Sequence, residues 1–264
     1  MRFEYLLSEL QTHHHLGALA ILAVFAAGFG AGTINSIVGS GSLITFPTLV
    51  ALGLSPFIAN ITNSVGITGG NASSVHGYRR ELVGQAKRVR TLLPYSAAGG
   101  LTGGLLLLYR PAAFIAIVPW LVLAAVALVI VQPRIARKLA ARGPRHQHGS
   151  VWLRLGIFAT GVYGGYFGAA QGVVMMAILA IGLDETLQRL NGLKNVLTFM
   201  ANAIAGILFI SFAHVNWIFV AIIAISSILG GQFGAHVGRR LPNPVLRAVI
   251  IVAGISVSVK LLVR

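Results

Sequence analysis

Cysteine is absent from this chain, which excludes disulfides, thiolate nucleophiles and Cys-ligated metals. Acidic residues are scarce as well, five against twenty Lys and Arg. Glu4, Glu9, Glu81, Asp184 and Glu185 place no carboxylate pair inside an apolar segment, so acid-base chemistry by paired carboxylates is excluded. No Gly-Lys-Ser/Thr closes a glycine-rich phosphate loop, which removes nucleotide-driven pumping by this chain alone. These absences describe a protein that is not an enzyme and needs neither cofactor nor metal. The longest absence is of charge itself: nothing between Glu9 and Arg79 is Asp, Glu, Lys or Arg.

Hydrophobic residues make up 56% of the 264 positions, charged ones only 9%, and mean hydropathy is +0.84, so most of the surface must face lipid rather than water. The formal charge of +15 could suggest a polyanion, but its placement argues otherwise. Arg79, Arg80, Lys87, Arg88 and Arg90 form one cluster between apolar runs, and Arg134, Arg137, Lys138, Arg142 and Arg145 form another. Short basic loops between apolar segments are cytoplasmic by the positive-inside rule. Nucleic acid is therefore not an expected partner.

Apolar runs long enough to span fall near 17–38, 56–76, 91–109, 111–132, 152–169, 187–212, 216–237 and 244–263. Two shorter runs, near 43–54 and 172–183, are too short to cross a bilayer alone. The expected fold is an all-α polytopic membrane bundle of about eight spanning helices plus two short re-entrant or half helices. Glu4 and Glu9 precede the first run where a secretory leader would carry positive charge, so 17–38 is read as a retained span.

Sliding the second half over the first brings matches at a spacing of 131: Gly41 with Gly172, Asn60 with Asn191, Asn63 with Lys194, Asn71 with Asn202, and Pro111 with Pro242. Gly53-Leu54 and Gly182-Leu183 match at 129, so a two-residue insertion follows Gly182. The expected organisation is an N-terminal tail over 1–16, a first repeat over 17–132, a basic cytoplasmic linker over 133–151 and a second repeat over 152–264. If the short segments are re-entrant, four crossings per half make the repeats parallel; if they cross, five make them inverted. Their length favours re-entry, while Arg239, Arg240 and Arg247 share the basic side only with five.

Two features carry the candidate chemistry. The first is the run from Asn35 to Ser42, with Ser40, Gly41 and Ser42 between a long segment and a short one, and its counterpart from Gly168 through Gln171 to Gly172. Glycine lets the backbone leave helical geometry there, and a short helix starting at each break would aim its positive dipole end inward. The competing reading is that small residues only permit tight helix packing. The second is a polar stripe: Asn60, Asn63, Ser64 and Asn71 share one helical face, and Asn191, Lys194, Asn195 and Asn202 repeat it. Amides are costly in hydrocarbon, so these faces must look into the bundle, either holding helices together or meeting a ligand. Lys194 is the one cation deep inside a repeat, and its natural partner is an anion or a titrating proton, unless it snorkels or pairs with Asp184 or Glu185. The expected binding set is thus Asn35, Ser40, Gly41, Ser42, Asn60, Asn63, Gln171, Gly172, Asn191, Lys194 and Asn195. His13, His14 and His15 read as a solvated tail and His76 as an interfacial anchor.

The run Gly39-Ser40-Gly41-Ser42-Leu43-Ile44-Thr45-Phe46-Pro47, followed by Gly53-Leu54-Ser55-Pro56, Ala59-Asn60 and His76-Gly77-Tyr78-Arg79-Arg80, resembles the TauE/SafE family of sulfite exporters. The second half, with Gly164-Gly165-Tyr166-Phe167-Gly168 and Leu190-Asn191-Gly192-Leu193-Lys194-Asn195, is similar to that family's second repeat. The resemblance implies transport of a small sulfur oxyanion or organosulfonate, such as sulfite or sulfoacetate, across a bacterial plasma membrane. Where the family has a richer glycine run, this chain carries Ser40, Ser42 and Ala170, which changes the surface offered to an anion. Direction, proton coupling and a homodimeric state stay open. The alternative is a non-transporting assembly or sensor protein that recruits a partner through its basic loops.

Overall fold

A computed structural model describes residues 17–140 and 150–237, with Val252, Ile255, Ser258 and Val259 beyond them. The tail over 1–16, Arg142, Arg145, and Arg239, Arg240 and Arg247 lie outside the described residues, as does nearly all of the run at 244–263. The described residues form helices α1 (Ala18–Ile37), α2 (Ser42–Ala51), α3 (Pro56–Gly77), α4 (Ala86–Tyr109), α5 (Pro111–Ala140), α6 (Val151–Tyr166), α7 (Gln171–Gly182), α8 (Leu187–Phe212) and α9 (Trp217–Val237). Ser55, Ser150 and Thr186 cap α3, α6 and α8, each side chain accepting the amide three residues on. Such caps contribute about 1 kcal/mol each.

Among the described residues five helices are long and apolar enough to cross a membrane: α1, α4, α5, α8 and α9. α3 has 22 residues, but its polar stripe dilutes its hydropathy, and α6 has only 16. α4 begins at Ala86, ahead of the expected 91, and α5 continues to Ala140 inside the expected linker, because Ala, Lys and Arg prolong a helix readily. Large side chains such as Leu105, Leu106, Trp120, Ile207, Ile225 and Leu229 are exposed on the outside of the bundle, as lipid-facing residues are.

The direction of each helix follows from its neighbours. At one face Phe57 at the start of α3, Tyr109 at the end of α4, Pro111 at the start of α5 and Phe212 at the end of α8 line one cleft. At the other, Lys87 and Arg88 at the start of α4 meet Arg154 at the start of α6 and Leu183 after α7. This second face also carries Arg79, Arg80 and Arg90, the basic side that the positive-inside rule expects towards the cytoplasm.

α9 starts where α8 ends, and α1 runs parallel to it: a methyl group on Gly28 would meet Ile223 and Ser226, and one on Gly32 would meet Ser227 and Gly231. α1 therefore starts at the first face, and α2 ends there too, since α3 follows after a short turn. α1 and α2 form a hairpin with both ends on the first face, while α6 and α7 form one with both ends on the Arg-rich face. The hairpin tips meet in the middle of the bundle. There Gly39, with φ +88°, lies against Gly172, whose amide donates to the Gly39 carbonyl at 3.0 Å. Phe46 of α2 packs edge-on to Phe167, with ring centroids 5.5 Å apart, which closes the apolar layer beside the tips.

Glycines seal the remaining helix contacts. A methyl group on Gly99 would strike the Phe158 carbonyl, and one on Gly230 the Phe29 carbonyl. Gly103 and Val162 repeat that relation, as do Gly234 and Thr33. For these glycines, close helix packing is the role the structure gives.

Candidate functional site

α2 and α7 both start at the meeting of the tips, and α3 and α8 cross beside them. Asn35, Gly39, Ser42, Asn71, Gly168, Gln171, Gly172, Thr198 and Asn202 enclose a polar cavity of about 10 Å³. That is room for about one water molecule. Gly39 and Gly168 both take left-handed backbone, with φ +88° and +77°, which ends α1 and α6 and turns the chain into the short helices. α2 begins at Ser42 and α7 at Gln171, so the N-terminal dipole ends of two helices converge on this space.

Asn35 organises one wall. Its side-chain oxygen accepts the Gly41 amide at 2.6 Å, its Nδ2 donates to Asn71 Oδ1 at 3.2 Å, and its backbone carbonyl accepts Lys194 Nζ at 3.2 Å. On the other wall Asn202 Nδ2 donates to Gln171 Oε1 at 3.3 Å. In both pairs the acceptor is satisfied and the amide N–H₂ is not: Asn71 Nδ2 and Gln171 Nε2 are buried without a hydrogen-bond partner. Asn71 is 4% and Gln171 2% exposed. An unmade hydrogen bond of this kind costs about 1–3 kcal/mol. Two such donors on one cavity, at two helix N-termini, suit a ligand that only accepts.

Lys194 is fully enclosed at 1% exposure, and among the described residues no carboxylate pairs with it. It neither snorkels nor reaches Asp184 or Glu185. Glu185 instead binds Arg88 at 2.6 Å and Arg189 at 2.8 Å near the Arg-rich face. Burial pushes the Glu185 carboxyl up, but hydrogen bonds from Arg88 and Arg189, with their charges, outweigh it and hold it below the usual carboxylate value.

Of the expected binding set, Asn35, Ser42, Gln171 and Gly172 line the cavity. The remaining residues stand behind or beside it. Gly41 and Lys194 are bonded to Asn35. Asn191 and Asn195 donate to the Ser36 carbonyl at 3.0 and 3.5 Å, Asn60 donates to the Tyr166 carbonyl at 3.0 Å, and Asn63 accepts from Thr45. The Ser40 hydroxyl is buried without a partner and is not on the lining. The polar stripes thus face the bundle, and most of their amides hold the hairpins in place. Thr198 was not expected, although it continues the Lys194 face at i+4 towards Asn202. The spacing of 131 that matched Gly41 with Gly172 does not describe this region: the short helices start at Ser42 and Gln171, and Gly172 is inside α7 while Gly41 precedes α2. Among the described residues no three His, Asp or Glu side chains come together.

The family model for the sulfite exporter TauE/SafE matches residues 24–261, nearly the whole chain. The chain belongs to the TauE/SafE family. This TauE/SafE protein is 26% identical over 248 residues to the probable membrane transporter protein YfcA of Escherichia coli K12, covering 94% of this chain and 89% of the relative. A probable membrane transporter protein of Haemophilus influenzae is 27% identical over 247 residues, covering 92% and 94%. One from Sinorhizobium, ORF9, is 26% identical over 254 residues, covering 94% and 93%. No solved structure matches significantly. Family and helices together make this TauE/SafE protein a multi-pass bacterial membrane protein of the transporter type.

Proposed function

We propose that this protein is a secondary transporter or facilitator that carries a small sulfur-containing anion, sulfite, sulfoacetate or a related organosulfonate, across the plasma membrane. The observation that carries the reading is the pair of unpartnered buried donors, Asn71 Nδ2 and Gln171 Nε2, on one cavity at the start of two half-helices. Charge-assisted hydrogen bonds to such donors, two dipole ends and the nearby Lys194 ammonium would hold an oxyanion without a full salt bridge. The description of the matching family model, a sulfite exporter, supports a sulfur oxyanion as the cargo.

The cavity is too small for a sulfur oxyanion, so this conformation is a closed one and the hairpin tips separate to admit the anion. In our topology the α1–α2 and α6–α7 hairpins enter from opposite faces, while α3, α4, α5, α8 and α9 cross. The halves, over 17–132 and from 152 to the end of the described α9, are read on this topology as inverted repeats with re-entrant hairpins. The paired glycine contacts, Gly99 on Phe158 with Gly230 on Phe29 and Gly103 on Val162 with Gly234 on Thr33, support that two-fold relation. Sites at the interface of inverted repeats, lined by broken helices, are a common plan of secondary transporters.

Gradient-driven flux in proteoliposomes tests the reading. Saturable movement of sulfite or sulfoacetate, lost in Asn71→Ala and Gln171→Ala, is expected; no flux of any sulfur oxyanion or sulfonate would sink it.

A further inference from the structure

A second polar cleft lies at the Arg-rich face, away from the cavity. The starts of α4 and α6 stand side by side and leave about 300 Å³ between Lys87, Arg88, Thr91, Leu92, Arg154 and Leu183. Lys87 and Arg88 belong to the first turn of α4 and Arg154 to that of α6, so two helix N-termini add partial positive charge to three cationic side chains. Glu185 is shared between Arg88 and Arg189. Arg154 has no such partner: among the described residues no carboxylate pairs with it, and its Nε is buried without a hydrogen bond. An anion in the cleft would compensate the guanidinium charge that no carboxylate meets.

The surroundings select the kind of anion. Leu92 and Leu183 give the cleft an apolar floor. Near the start of α6, away from the cleft lining, Trp152 is 81% and Leu155 49% exposed, which sets this level of the bundle at the boundary between headgroups and hydrocarbon. A soluble anion has no use for an apolar floor at the membrane boundary, whereas a lipid phosphate places its chains along it. We propose that this cleft binds the phosphate of an anionic phospholipid of the cytoplasmic leaflet, with Arg154 and Lys87 as the principal contacts and Arg88 held in place by Glu185. Basic pockets between helix ends on that side suit such headgroups.

Thermal unfolding of the full chain in neutral detergent, titrated with phosphatidylglycerol, phosphatidylcholine or glycerol phosphate, tests this. Phosphatidylglycerol should raise the unfolding temperature at concentrations where the other two do not. Arg154→Gln should weaken its apparent affinity about fivefold, the loss of one basic contact at a membrane surface. Arg80→Gln, on the same face but outside the cleft, should leave it unchanged. If Arg154→Gln fails to fold, exposed Lys87→Gln replaces it with the same expected weakening. Equal stabilisation by phosphatidylcholine, a full shift with glycerol phosphate alone, or the same loss in Arg80→Gln overturns the proposal. None of these outcomes bears on flux through the cavity, so the two readings fail separately.

Discussion

The amide of Gly172 donates to the carbonyl of Gly39 at 3.0 Å, and this backbone bond ties together two hairpins that come from opposite faces of the bundle. A methyl group on either glycine would strike the backbone of the other. Gly53 is the natural control, because its φ is also positive, +100°, yet open space surrounds it. Gly53→Ala should cost about 1–2 kcal/mol, the strain of a left-handed residue. Gly39→Ala should cost more and abolish flux, because it adds a collision at the tips. Equal losses of unfolding temperature in the two variants would remove the tip contact from the account.

The unpartnered amides give a prediction about affinity. A hydrogen bond to a charged group contributes about 1.5–3 kcal/mol, so Asn71→Ala and Gln171→Ala should each weaken anion binding about tenfold or more. Asn63→Ala is the contrast, since Asn63 bonds Thr45 and not the cavity. It should lower stability and leave affinity nearly unchanged, as read by calorimetric titration alongside thermal unfolding.

Lys194 separates stability from function. An ammonium buried with a backbone carbonyl as its partner carries a desolvation penalty that an apolar side chain avoids. Lys194→Met should therefore unfold at the same or a higher temperature while binding anions more weakly, and Lys194→Arg should keep more of the affinity than Lys194→Gln. Unchanged binding in Lys194→Met would show that this charge does not reach the cavity.

The Glu185 bridge gives a pH signature. Its carboxyl is held below the ordinary 4.5, so the unfolded chain takes up its proton first as pH falls. The stabilisation is complete above 4.5 and disappears as pH drops through the lower folded value. Thermal unfolding of the wild type and Glu185→Gln should differ at pH 7 and converge at acid pH. A difference that persists in acid would mean that the Arg88 and Arg189 contacts do not depend on the charge.

Part of the cavity lining is legible in the sequence. Asn35, Ser42, Gln171 and Gly172 are recognisable because small and polar residues interrupt apolar runs, and lipid tolerates such breaks only where they are buried or line a cavity. The amide stripes are recognisable because their period places Asn60, Asn63 and Asn71 on one face. Their division of labour is not: Asn71 and Asn202 line the cavity, whereas Asn60, Asn63, Asn191 and Asn195 bond the hairpins, and an amide has the same sequence signature in either task. Likewise the glycine match at 131 is blind to which glycines at the hairpin tips take positive φ, and those are Gly39 and Gly168.

By itself the sequence determined the helices, their breaks and their buried faces, because each depends on residues close along the chain and on the cost of polar groups in lipid. Only the tertiary structure decided that α1 pairs with α2 as a hairpin from one face and α6 with α7 from the other, and that Lys194 sits behind Asn35. It also decided that two amide N–H₂ groups on one cavity are left without partners. Those outcomes depend on which distant acceptors are already taken, and hydrogen-bond competition between far-apart segments leaves no periodic trace in the chain.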